Sequence, residues 1–430
     1  MSAISLPKVI DYGEVLETLP PDTISFQQVC NPVSGSSFSA GSQIDVDLGS
    51  RGFLVPDSLM VRFQMTTANV ATSYMCGTPV YTPFLRLNTM INSINTETLN
   101  NYAVLANLLT NTGMDVAQKL GVQYAYGYQE GAVTPMTNEN LDGGYFSANT
   151  SKPVSAPLPC ALSFSEKLIP LFALNGIRLT FTLDSIANMF SLIDPTETAV
   201  ALPTNFTITN FEVCYQCVDF GKDVENMVMS SGDIRIKSQT FGSSIQSVAS
   251  GTSGQQNLVY NLKYSSIKSL FLNMGGATRT VSANGNLDSY DITTAGDYQF
   301  QLNGIMFPQR ALSVLNNRAG ILQMLRQAVG SIFDKNNSLS INTYEFLSQG
   351  SEGQTTSPTA PAKFWVGVAT DKLRLAKGGY FSGVPSGSSP ITAQINITTA
   401  TTQAYNVMLI ACADYIFKID PMTRQVVIVS

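Results

Sequence analysis

Cys214 and Cys217 form a Cys-x-x-Cys, the closest pairing of thiols in the chain. That spacing holds zinc when a second pair completes the ligand set. No second pair occurs in this sequence. The run Phe206 to Val218 alternates like a strand, and residues three apart in a strand point to opposite faces. Two sulfurs so placed do not converge on one ion, so both are expected to be small packing residues. Asp45 and Asp47 share one face of another alternating run and could share a cation. Calcium requires about six to eight oxygens, so a solvated strand face is the expectation. Arg310, Arg318 and Arg326 cluster in and near one helical segment. A nucleic-acid groove would add more positive charge and interleaved aromatics, so these arginines are expected to make polar contacts with loops or neighbouring chains.

The remaining chemistry is excluded or left without support. The chain has 430 residues and no histidine, which removes Ser-His-Asp and Cys-His nucleophiles and imidazole metal ligands. There is no Gly-x-Ser-x-Gly elbow, phosphate-cradling glycine loop, dinucleotide fingerprint or His-Glu-x-x-His. The acidic residues admit a glycosidase pair, but the sequence brings no two of them together. The one tryptophan, Trp365, sits in the apolar run Phe364 to Val368 and is expected in the core, away from any sugar-stacking platform. No catalytic, cofactor-binding or metal-binding residue is assigned, and the expectation is a protein without enzymatic activity or cofactor.

Charged residues make up 13% of the chain and the formal net charge is −6, against about 25% charged in ordinary soluble domains. Ser, Thr, Asn, Gln and Gly fill the difference. An acidic balance argues against a broad phosphate-neutralising face. Six cysteines in this length do not make a disulfide scaffold. Met1 to Ile10 has no apolar core of signal-peptide length, and no run is long enough to span a membrane. Synthesis in a reducing cytoplasm is therefore expected, with the sequons at Asn149, Asn205, Asn336 and Asn396 unglycosylated.

The elements that would position these residues are mostly strands. Period-2 alternation marks Gln43–Leu48, Leu59–Met65, Ile177–Leu183, Phe206–Val218, Leu258–Leu262, Ile267–Met274, Tyr298–Leu302, Phe364–Val368, Ile391–Ile397 and Tyr405–Phe417. Two segments have helical period. In Asn317–Phe333, Ile321, Leu322, Leu325, Ala328, Val329 and Ile332 form one face, with Arg318, Gln323 and Arg326 mostly facing away. The weaker is Thr98–Leu109, with Asn95 or Thr96 as cap and Glu97 suited to the first turn. Gly131–Pro159, Gly275–Asp297 and Ser348–Ala362 read as long loops. The order strand, strand, helix, loop, late strands occurs twice at an offset of about 210 residues, which predicts a duplication. Lys222–Asp233 is the expected junction. The chain divides into an arm at 1–30, where Pro20-Pro21 favours an extended path, and two sandwiches at 31–225 and 226–430.

Several stretches resemble one family. Phe307-Pro308-Gln309-Arg310-Ala311-Leu312-Ser313, Asn316-Asn317-Arg318-Ala319, Leu322 to Gly330, Ser331-Ile332-Phe333-Asp334 and Ser340-Ile341-Asn342 are similar to the second-domain helix region of double jelly-roll major capsid proteins. The likeness is nearest to those of polinton-like viruses, within the adenovirus-hexon-like lineage of double-stranded DNA viruses. Lys167 to Asn175 followed by Ile177 to Leu183 resembles a late-strand signature of the same proteins, as does Ile94 through Asn111 with its Asn101-Tyr102 helix. The resemblance implies an all-β chain of two tandem eight-stranded jelly rolls, with short helices in loops. It also implies homotrimers of nearly hexagonal outline that tile an icosahedral shell, location in the virion, and minor capsid or penton proteins as further partners. Sequence-specific nucleic-acid binding is not implied, and contact with an inner membrane is left open. Two other readings stand beside it: a minor vertex or spike protein, and a carbohydrate-binding β-sandwich.

Overall fold

The computed structural model describes residues 22–429 apart from 69–71, 129–144, 148, 150, 192–201, 277–294, 315, 331, 333–338, 340, 342–345, 347–363, 373–381, 388 and 402–403. The main strands of the first half are β1 (Ile24–Cys30), β2 (Gln43–Asp47), β3 (Met60–Ala68), β4 (Phe84–Ile91), β5 (Ile94–Asn100), β6 (Ser151–Pro157), β7 (Ile177–Leu183) and β8 (Asn205–Asp219). Those of the second half are β9 (Ile234–Val248), β10 (Gly254–Tyr260), β11 (Ile267–Gly276), β12 (Ala295–Leu302), β13 (Ile305–Ser313), β14 (Val366–Ala369), β15 (Ile391–Ile397) and β16 (Tyr405–Asp420). A final strand, β17 (Gln425–Val429), pairs with β16.

The halves repeat one wiring. In the first, β1 and β3 flank β8 and β6 pairs β3, while the facing sheet runs β2-β7-β4-β5. In the second, β9 and β11 flank β16 and β14 pairs β11, while the facing sheet runs β10-β15-β12-β13. All these pairings are antiparallel, and each strand matches the strand eight places later. Alternation explains the layering. Val61, Phe63 and Met65 of β3 are buried, while Met60, Arg62 and Gln64 stay half-exposed, as a sheet with one face on a core requires.

Helix α1 (Tyr102–Gly113) follows the β4-β5 hairpin, and α4 (Arg318–Val329) follows the matching β12-β13 hairpin. Between them lie α2 (Val116–Gly121) and α3 (Lys222–Ser230). Among the described residues, no helix is long and apolar enough to cross a membrane.

The structure corrects several expectations. The first helix begins at Tyr102, four residues beyond the predicted start. Asn95, Thr96 and Glu97 lie in β5, and the N-cap is Asn101, in the left-handed region with no side-chain cap bond. Residues 24–30 of the expected arm form β1, hydrogen-bonded along β8; residues 1–21 lie outside the described residues. The Gly131–Pro159 loop contains β6. Phe307–Ser313, placed with the helix region, belongs to β13. The junction at Lys222–Asp233 carries α3, which has no buried residue. Positions 277–294 and 348–362, read as long loops, lie outside the described residues, as does Asn336.

Candidate functional site

The predicted chemistry candidates do not converge. Cys214 and Cys217 are both buried, 0% and 1% exposed. Cys217 shares a face of β8 with Val213 and Tyr215, whereas Cys214 lies on the opposite face, across from Val29 and Met60. The Cys217 Sγ donates to the Arg51 carbonyl at 3.0 Å. All six cysteines are buried and free. Burial pushes the thiols of Cys30, Cys214 and Cys217 up, and those of Cys160 and Cys412 up to about 12. A nucleophilic cysteine requires the opposite shift.

Asp45 and Asp47 do share the outer face of β2, but each has its own partner on β7. Asp47 accepts from Arg178 Nε at 2.6 Å and from Arg178 NH2 at 2.9 Å, which holds its carboxyl below the usual range. Asp45 accepts from Thr180 Oγ1 at 2.7 Å and from Gln43 Nε2 at 2.9 Å. Among the described residues, no three His, Cys, Asp or Glu side chains group as metal ligands.

The arginines also part company. Arg310 is exposed on β13 and Arg326 is exposed on α4. Arg318, expected to face away, is 9% exposed, and its Nε donates to the Val314 carbonyl at 3.2 Å. Trp365 is fully buried and offers no platform. An apolar pocket of ≈ 240 Å³ opens beside α1, lined in part by Leu59, Tyr81, Leu109, Tyr126 and Phe164. The Tyr81 hydroxyl in its lining donates to the Pro157 carbonyl at 2.6 Å.

The densest polar constellation is one the sequence reading missed. It lies where the first sandwich meets the second, along β5 and the 158–166 segment on one side and β9 and β16 on the other. Glu97, 5% exposed, is at its centre. Its Oε1 accepts from Thr240 Oγ1 of β9 at 2.5 Å. Its Oε2 accepts from the Ala161 amide at 2.9 Å and from Thr89 Oγ1 at 3.5 Å. Around it, Tyr415 donates its hydroxyl to the Thr96 carbonyl and Ser238 donates to the Ala161 carbonyl. Ser243 Oγ donates to the Asn100 carbonyl at 2.7 Å, and the Glu166 amide donates to the Lys237 carbonyl at 2.9 Å. Phe164 and Phe241 meet edge-on at 5.5 Å. Burial pushes the Glu97 carboxyl up to about 7, against the three hydrogen bonds, which favour its charged form. Asp414 of β16, fully buried within the second roll, accepts from Ser266 Oγ at 2.5 Å and has Lys237 Nζ at 3.9 Å. Glu97 has no such cation among the described residues. The one sequence signal for its placement was alternation: Glu97 and Leu99 point inward while Thr98 and Asn100 point out.

No family model and no curated protein matches the chain. Solved structures do. That of PBCV-1 VP54 fitted into a cryo-EM reconstruction of the virophage Sputnik aligns with a TM-score of 0.62 at 13% identity, over 97% of this chain and 99% of that one. The Faustovirus major capsid protein aligns with a TM-score of 0.57 at 10% identity, over 94% and 91% of the two chains. The mavirus major capsid protein aligns with a TM-score of 0.55 at 12% identity, over 100% and 95%. The likeness therefore runs through both sandwiches and the seam between them. The fold is the double jelly roll. Among the described residues its first roll is built chiefly from β1 to β8 and its second from β9 to β16, and Glu97 stands where the two rolls are joined.

Proposed function

We propose that this chain is a viral major capsid protein, located in the virion, without enzymatic activity. One observation carries the reading: two complete eight-stranded rolls fused along a buried seam, with whole-chain likeness to capsid proteins at both ends. Three chains, each giving two rolls, would make a capsomer of nearly hexagonal outline that tiles an icosahedral shell. Its first partner is thus itself, followed by minor capsid or penton proteins; sequence-specific nucleic-acid binding is not part of the proposal. Roll boundaries follow at 24–219 and 234–429, with α3 between them. Synthesis in the host cytoplasm belongs to the same reading.

The physics of assembly supports it. Shell contacts are repeated among identical copies, where strong like charge would repel. A chain only 13% charged meets its own copies with hydroxyls and amides. Buried Trp365 and the high thiol values weigh against the carbohydrate-binding and catalytic alternatives, and the tandem rolls weigh against a single-roll vertex protein. Light scattering of the purified chain tests this: a mass three times that of the chain, with hexagonal particles in negative stain, is expected. A monomer that binds a glycan would overturn it.

A further inference from the structure

Glu97 is an unusual group to place on a permanent seam. It is a carboxylate held by two hydroxyls and one amide, at 5% exposure, with no ion pair reaching it among the described residues. Three segments meet its two oxygens: β4 through Thr89, the turn at Ala161, and β9 of the second roll through Thr240. Removing a carboxylate from water disfavours its charge unless a cation or several strong donors replace the solvent. The neighbouring Asp414 has Lys237 for that purpose; Glu97 does not.

We propose that the seam is a proton-dependent latch, in which protonated Glu97 holds β5, the Ala161 turn and β9 together, and loss of that proton loosens the second roll from the first. In the acid form one oxygen carries the proton and shares it with Thr240 Oγ1, while the other accepts from the Ala161 amide. In the charged form the same site must hold a full negative charge among neutral groups.

The titratable side chains that feel Glu97 come from every element around it: Tyr102 of α1, Cys160 of the turn, Tyr264 of the segment between β10 and β11, and Tyr415 of β16. Burial pushes all four up, so each remains neutral near pH 7. Lys237 of β9 is engaged by Glu166 at 3.7 Å and by Asp414 at 3.9 Å. The background is quiet as well. The chain has no histidine, the side chain that ordinarily titrates between about pH 5 and 8.

The sign follows from linkage. The folded carboxyl binds its proton more tightly than the unfolded one, whose ordinary value is 4.5. Its contribution to stability is therefore complete below that value and is lost as pH rises through about 7.

The test is thermal unfolding of the full chain, at fixed concentration, from about pH 5.5 to about pH 8.5. Wild-type Tm is expected to fall across that range and then level off. Glu97→Gln, which keeps an acceptor and cannot ionise, is expected to be nearly flat. At the alkaline end the unfolding constant of the wild type should exceed that of the variant by roughly 30-fold relative to their ratio at the acid end. Hydrogen exchange supplies the second readout: corrected for intrinsic rates, β5, β9 and the Ala161 turn should lose protection at alkaline pH, while the β12-β13 hairpin keeps it. Parallel Tm profiles for the two proteins, or an even loss of protection over both rolls, would overturn the latch. If Glu97→Gln does not fold, 13C-carboxyl labelling of glutamate in the wild type decides. A resonance with its midpoint near 7 is expected, and ordinary midpoints for every glutamate would sink the idea.

Discussion

Helices α1 and α4 occupy the same place in the two rolls, each following the hairpin of the fourth and fifth strands, yet they are held in different ways. Eleven of the twelve residues of α1 are buried. Thr78 donates from its amide and hydroxyl to Asn107 Oδ1 at 3.0 and 2.8 Å, and Tyr102 meets Tyr81 and Phe84 edge-on. Enclosure on every side leaves polar side chains nowhere to go, so Thr110 and Thr112 donate back to the carbonyls of Ala106 and Leu108. Helix α4 buries one face on β14 through Ile321, Leu325, Ala328 and Val329, and shows Gln323, Arg326 and Gln327 to solvent. Asn317 caps it, accepting from the Gly320 amide at 3.2 Å. The lesson is that one topological slot can be filled by a helix the core swallows or by a helix that leans on the core.

The rolls differ in their cores too. Phe63, Phe84, Phe181 and Phe211 join the two sheets of the first, with ring centroids 5.1 to 5.8 Å apart where they touch in sequence around the cluster. The matching strand of the second roll, β15, contributes Ile391, Ala393, Ile395 and Ile397. The largest test of the contrast is Phe181→Ala, expected to cost about 3–5 kcal/mol in chemical denaturation, against roughly 0.5–1.5 kcal/mol for Ile395→Val. Equal losses would mean that the aromatic cluster adds nothing special. Next comes Gly367→Ala on β14. A Cβ there would stand 2.9 Å from Leu325 Cδ1 and 3.1 Å from Ala328 Cβ, so about 1–3 kcal/mol is expected. Faster amide exchange should be confined to α4 and leave α1 protected. Smaller again is the capping contrast. Asn317→Ala should cost about 1 kcal/mol, whereas Asn101→Gly, at φ 51° with no cap bond to lose, should change stability by only a few tenths. The smallest is Asp47→Asn on the exposed face, where breaking the Arg178 pair should cost less than about 1 kcal/mol.

The same contrast explains what the sequence made legible. An amphipathic helix writes its solvent face into the sequence, and α4 was placed to within a few residues for that reason. A helix buried all round writes no such pattern. Its Leu99, Tyr102, Ala106 and Leu109 spacing ran on into β5, and Glu97 was mistaken for a first-turn acid when it is an inward strand residue. Strands with one wet face, such as β2, β7 and β15, announced themselves by alternation. Missing were strands whose alternation is blurred, including β4 and β6, and β1, whose half-exposed pattern resembles an arm. Its counterpart β9, which pairs β16 as β1 pairs β8, is absent from the predicted strands as well, so the repeat offered no clue to either. As for the site, the opposite faces of Cys214 and Cys217 and the shared face of Asp45 and Asp47 were readable from local geometry. The seam was not, because Glu97, Ala161 and Thr240 are far apart in sequence and only the docking of two rolls brings them together.

The pairing of β1 with β8 also sets an order in time. The first strand of each roll finds its partner only in the last, so neither first sheet is complete until its final strand has left the ribosome. Contacts this distant in sequence make sheet closure slow, and domains emerging in turn fold as units. The first roll can therefore close on β8 while the second is still being made, and it then offers β5 and the Ala161 turn as a finished surface for β9. Until Thr240 of β9 docks, the Glu97 carboxylate lacks its contact from the second roll.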